Sequence, residues 1–105
     1  MIPTLSVQEL AQMKQKNEAF FLLDVREATE YEHANLKGHL IPLNELPNRL
    51  GELEPEDTIV VHCHHGRRSA AAVQLLLAQG FFKVYNLAGG IDAWSNEIDP
   101  SIPRY

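Results

Sequence analysis

Thr58-Ile59-Val60-Val61-His62-Cys63-His64-His65-Gly66-Arg67-Arg68-Ser69-Ala70 is the stretch on which the reading of the whole chain turns. Thr58 to Val61 are all β-branched, and with His62 they make the best strand pattern in the sequence. Ser69 to Gln79 is rich in Ala and Leu and closes with Gly80, as a helix with a C-terminal glycine does. The chain must turn sharply between the two, and Gly66 permits an unusual dihedral in the middle of that turn. A strand that passes to a helix through so short a loop is the building unit of a parallel α/β sheet.

The same alternation runs outward in both directions. Thr4-Leu5 reads as a short first strand, and Ser6 with Glu9 as a capping box on a helix reaching about Lys16. Phe20 to Val25 is a nearly continuous apolar run, the pattern of a strand buried on both faces. Thr29 and Glu32 suggest a second capping box, on a short helix ending at His33. Leu40-Ile41 is expected to be a short strand, Pro42 and Pro47 to bracket a turn, and Leu46 to Leu50 to form a short helix. Val84-Tyr85-Asn86 reads as the last strand, and Gly89-Gly90 opens a helix containing Trp94. Residues 99–105 hold two prolines and are expected to wrap the surface. This order makes parallel strands and right-handed crossovers the expectation. Binding crevices in such sheets lie beyond the carboxyl ends of the strands, which is where Cys63 falls.

Bulk properties narrow the classes. A chain of 105 residues with 45% apolar and 22% charged residues suits one soluble domain, here taken as 1–105. A net charge of -5 offers no general attraction to nucleic acid or to anionic lipid. No apolar run approaches a membrane span, and the start lacks the pattern of a signal peptide, so a cytoplasmic protein is expected. The lone cysteine excludes an intramolecular disulfide.

Cys63 therefore stands as either an inert core residue or a reactive thiol, and its neighbours favour the second. A tight turn entering a helix leaves backbone N–H groups without internal partners; converging on the sulfur, they form an anion-binding nest. A helix N-terminus with nearby cations lowers a thiol pKa from about 8.5 to roughly 3.5–7.5. Arg67 and Arg68 at a helix start oppose the macrodipole unless an anion meets them. Arg68 is expected to point inward and Arg67 to rim the mouth. His64, His65, Gly66 and Ser69 complete the candidate anion-binding loop. His62, His64 and His65 cannot all face one ion from consecutive positions, and no second Cys/His cluster stands at a familiar spacing, so no metal is expected. Asp24 and Arg26, at the end of a neighbouring strand, read as a supporting ion pair, and Trp94 as a core anchor.

Four segments in order resemble the single-domain rhodaneses, a sulfurtransferase family. They are Asp24-Val25-Arg26-Glu27 with Glu30-Tyr31, then Ile41-Pro42-Leu43, then Cys63 to Ser69, then Gly89-Gly90-Ile91-Asp92-Ala93-Trp94. One stretch departs: Ala34 to Leu40 stands where the family commonly carries a longer Gly-His-Ile-x-Gly-Ala run. The resemblance implies a three-layer α/β/α fold with a five-stranded parallel sheet. It implies Cys63 as the catalytic nucleophile, taking sulfur from a small anion such as thiosulfate and passing it from a persulfide to a thiol or protein acceptor, without metal or organic cofactor. A persulfide carrier serving a protein partner is the alternative. Cysteine phosphatases and arsenate reductases are more distant rivals, since they carry one residue more between cysteine and arginine.

Overall fold

The computed structural model describes residues 2–105. Its elements in chain order are β1 (Thr4–Leu5), α1 (Val7–Gln15), β2 (Phe21–Asp24), α2 (Ala28–His33), β3 (His39–Leu40), β4 (Ile59–His62), α3 (Arg67–Ala78), β5 (Val84–Leu87) and α4 (Gly90–Glu97), with two 3₁₀ turns at Leu43–Asn48 and Leu50–Glu52 between β3 and β4. The five strands form one sheet in the order β1-β5-β4-β2-β3, and every pairing is parallel. β4 is central: Val60 pairs with Leu22 on one side and Tyr85 on the other.

All four residues of β4 are buried, which is why this segment carries β-branched residues without polar alternation. Its side chains alternate between two cores. Ile59 and Val61 pack with Leu23, Val25, Ala72, Val73 and Leu76 on one face. Val60 packs with Val7, Leu10, Leu87 and Trp94 on the other. The sheet thus lies between α3 on one face and α1 with α4 on the other, the expected three layers. Trp94 is a core anchor.

Several local expectations shift. The capping box of α2 is built on Glu27 and Glu30 rather than Thr29 and Glu32: the Glu30 carboxylate accepts the Glu27 N–H at 3.0 Å, and Thr29 lies inside the helix. β3 sits one residue earlier than Leu40-Ile41, because its register follows Leu23 and Asp24 of β2. The segment after Pro42 is 3₁₀ from Leu43 and continues through Pro47; its tighter turn absorbs the proline. α3 starts at Arg67, two residues before Ser69, so both arginines belong to its first turn.

Candidate active site

Cys63 follows β4 directly, at the carboxyl edge of the central strand. The chain then turns through His64 and His65 to Gly66, whose φ of 113° lies in the left-handed region and which caps α3. This turn folds the start of α3 back over the sulfur. The Gly66 N–H donates to Cys63 Sγ at 3.1 Å, and the Ser69 hydroxyl lies 3.4 Å from it. Burial pushes the thiol up, but hydrogen bonding within the loop, with the N–H groups of Ser69, Gly66 and Arg68 among the donors, pulls it down more strongly, so it sits below its ordinary value.

The underside of the loop rests on α4. The Ile91 N–H donates to the Cys63 carbonyl at 3.0 Å, and the Asp92 N–H to the His64 carbonyl at 3.1 Å. The first turn of α4 is therefore spent on the loop rather than on a ligand. So close an approach needs Gly90: a Cβ there would stand 2.4 Å from the Cys63 oxygen. β5 supplies a third support. Ser69 Oγ–H donates to Asn86 Oδ1 at 2.5 Å, and Asn86 Nδ2–H donates to the Gly66 carbonyl at 3.2 Å.

The two arginines part ways. Arg68 is clasped by Glu30 of α2, its guanidinium donating to both carboxylate oxygens at 2.7 and 2.9 Å. The anion that makes a cation tolerable at this helix start comes from the chain itself. Arg68 holds the Glu30 carboxyl down at about 2 by hydrogen bonding, against the opposing effect of burial. Arg67 makes no ion pair among the described residues and is exposed at the rim of the loop.

Asp24 and Arg26 form a fully buried pair at 2.7 Å below the loop. Arg26 also donates to the Ala34 carbonyl at 2.8 Å and to the Tyr105 hydroxyl at 2.7 Å. Tyr105 is the residue that sequence reasoning missed. Its ring stacks on His64, centroids 4.0 Å apart and planes within 6°, while its hydroxyl donates to Glu30 at 2.9 Å. A terminal tyrosine carries no periodicity or motif that would have announced it. His62 is sealed beneath the loop, 3.5 Å from Asp24, and burial keeps it neutral. His65 is exposed beside Asp92.

His64, His65 and Asp92 form one cluster with metal-ligand chemistry among the described residues. Asp92 already accepts two hydrogen bonds there from Arg104, at 3.0 and 3.1 Å. A hollow of about 350 Å³ with a mixed lining, Phe20 and Phe21 beside Glu56, Asp57 and Lys83, lies elsewhere, next to the amino ends of β2 and β4. No helix is long and apolar enough to cross a membrane among the described residues.

Comparison with known proteins agrees with this layout. The profile of the Rhodanese-like domain family matches residues 6–97. YrkF of Bacillus subtilis, provisionally named a sulfur carrier protein, is 39% identical over 93% of this chain, which spans 54% of YrkF. The chain spans still less of the plant relatives it matches. The thiosulfate sulfurtransferase GlpE of Actinobacillus pleuropneumoniae is 35% identical, with 86% of this chain and 84% of GlpE covered. A rhodanese-related protein from Thermoplasma volcanium superposes with a TM-score of 0.84 at 31% identity, covering 98% and 99% of the two chains. With its profile matched over most of the length and its sheet shared with solved relatives, this chain belongs to the rhodanese-like domain family, among whose members are sulfurtransferases.

Proposed function

We propose that this chain moves a sulfane sulfur through a persulfide on Cys63. The observation that carries the reading is the sulfur itself, at the end of the central strand and accepting a hydrogen bond from Gly66 N–H inside a loop rich in inward donors. Such donors favour the thiolate, the nucleophilic form. The thiol proton leaves to solvent, and the thiolate attacks the outer sulfur of thiosulfate or of a persulfide donor. A new S–S bond forms, the old one breaks, and sulfite or the donor thiolate departs with the electron pair. An acceptor (cyanide, a small thiol or a protein thiolate) then attacks the outer sulfur of the Cys63 persulfide, and the Cys63 thiolate is the leaving group. The atoms and electrons balance without a cofactor.

In this reading His64, His65, Gly66, Arg67, Arg68 and Ser69 form the anion-binding loop, and Asp24 and Arg26 hold its floor. Residues 1–105 act as one rhodanese-like domain. The free thiol suits a reducing compartment, and we place the protein in the cytoplasm.

A second reading, a persulfide carrier working with a protein partner, is favoured by one observation. Glu30 already neutralises Arg68, which reduces the pull on free anions and leaves Arg67 to meet them. The name given to YrkF points the same way.

The test is sulfur loading. The purified protein is exposed to thiosulfate, weighed by native mass spectrometry, and then assayed with cyanide. A gain of one sulfur that Cys63→Ser abolishes, with the variant still folded, is expected. Loading or turnover unchanged in Cys63→Ser would end the persulfide mechanism. Stable loading with poor turnover to cyanide would favour the carrier.

A further inference from the structure

The chain Cys63–Ser69–Asn86–Gly66 contains one more acceptor than its hydroxyl can serve. Asn86 stands on β5, is 8% exposed, and its strand is fixed between β4 and β1. The Gly66 carbonyl can only accept, so it draws the amide nitrogen of Asn86. That leaves the amide oxygen facing Ser69 at 2.5 Å. An amide oxygen carries no proton, so this contact requires the proton of the Ser69 hydroxyl. Ser69 has only that one. Toward Cys63 Sγ, 3.4 Å away, it then presents lone pairs.

We infer that Asn86 is a positioning residue that competes with the Cys63 thiolate for the single proton of Ser69. With Cys63 as a thiol, every partner is satisfied: S–H donates to Ser69 Oγ, Ser69 O–H to Asn86 Oδ1, and Asn86 N–H to Gly66 O. When the thiol proton leaves to solvent, Ser69 must choose. Turning its O–H toward the sulfur sets two oxygens 2.5 Å apart with lone pairs opposed. Keeping it on Asn86 leaves the thiolate to the backbone donors alone. In the persulfide the inner sulfur is bonded to the outer one, which carries the charge, and Ser69 remains with Asn86 at no cost. Asn86 thus disfavours the bare thiolate relative to the loaded form. This deepens the proposed function and rests on Cys63 acting as a thiolate.

The surrounding charged and titratable groups stay the same in the variants that test it. They are Asp24 and Arg26 beside β2, Glu30 of α2, Arg68 of α3, His62 and His64 flanking Cys63, Asp92 of α4, and Tyr105.

The experiment is a titration of the Cys63 thiol by thiolate ultraviolet absorbance in the wild type, Asn86→Ala, Ser69→Ala and the double variant. It reads ionisation whether or not the protein transfers sulfur, so its outcome is separate from that of the loading test. Asn86→Ala is expected to lower the thiol pKa by about half to one unit, roughly three- to tenfold more thiolate at a fixed pH below it. Ser69→Ala is expected to change the wild type little, and to raise the pKa by a similar amount once Asn86 is gone. A loop that had merely loosened would lose amide donors and shift upward in Asn86→Ala. Such a rise, or an equal effect of Ser69→Ala in both backgrounds, would overturn the inference. Should Asn86→Ala fail to fold, Ser69→Ala alone decides: a rise of a full unit in the wild-type background would show the proton already on the sulfur and refute it.

Discussion

Glu30 of α2 grips Arg68 of α3 through both carboxylate oxygens, although the two residues stand far apart in the sequence. The pair sets the charge beside the sulfur, because Arg68 reaches the site already matched.

Glu30→Gln should release that charge. The gain for an anionic donor is expected to be about 1 kcal/mol, the scale of a partly exposed pair, or roughly fivefold in kcat/KM for thiosulfate. An uncharged persulfide donor should respond much less. Equal changes for both donors would remove electrostatics as the cause. The substitution should also alter the acid limb of stability. A carboxyl held at about 2 in the fold against an ordinary 4.5 stabilises fully above about pH 4.5, and that stabilisation is lost as pH falls from there through about 2. Urea unfolding at a series of acidic pH values should show a shallower decline for Glu30→Gln across that window.

Asp24→Asn strands the guanidinium of Arg26 in the interior. Both side chains are fully buried, and removing one partner of such a pair costs about 3–5 kcal/mol. The Ala34 carbonyl and the Tyr105 hydroxyl remain as partners, so the lower end of that range is expected. Denaturant unfolding reads it directly; a loss below about 1 kcal/mol would show that the pair is dispensable.

His62 supplies a second pH dependence, of opposite chemistry. Burial lowers its folded pKa below the ordinary 6.5. The unfolded chain therefore binds a proton that the fold refuses, and stability should fall as pH drops below about 6.5, by up to about 1.4 kcal/mol per pH unit until the folded value is reached. His62→Gln should flatten that slope. A wild type equally stable at pH 7 and pH 5.5 would mean that His62 is paired rather than excluded from charging.

Gly90→Ala tests the bracing of the loop by α4. Its φ of 58° and a Cβ placed 2.4 Å from the Cys63 oxygen and 2.5 Å from that of His64 force the backbone to move. A cost of about 1–3 kcal/mol in stability is expected, together with a rise in the Cys63 pKa as the loop donors lose their aim. Stability lost without any change in thiol titration would separate α4 from the chemistry.

How much of this could be read beforehand depends on how local each cause is. β4 was legible because four β-branched residues in a row fit only a strand enclosed on both faces. The turn at Gly66 was legible because a strand, a glycine and a helix leave the chain one way to go. The partner of Arg68 was not: Glu30 sits on a different helix, and only the packing of α2 beside the loop brings them together. The role of Asn86 was hidden for the same reason, since a polar residue in a strand says nothing of the acceptor across from it. Tyr105 could be placed on the surface but not over His64, because a segment without periodicity gives no direction. The boundaries that slipped, at α2, β3 and the turn after Pro42, are those set by register or by 3₁₀ geometry rather than by side-chain pattern.

The sulfur follows immediately upon the one strand hydrogen-bonded on both edges over most of its length, whereas its rim is closed by residues 99–105, held by side chains: Tyr105 to Arg26 and Glu30, Arg104 to Asp92, and Ser95 to the Ile102 carbonyl. Deuterium uptake should divide the site accordingly. Amides in the middle of β4 should exchange only when the whole chain opens, while those of residues 100–105, which lie outside sheet and helix, should exchange sooner. Cys63 and the Tyr105 ring stacked on His64 thus belong to different kinetic layers, and the rim of the site is expected to open and close without disturbing the strand that ends at the sulfur.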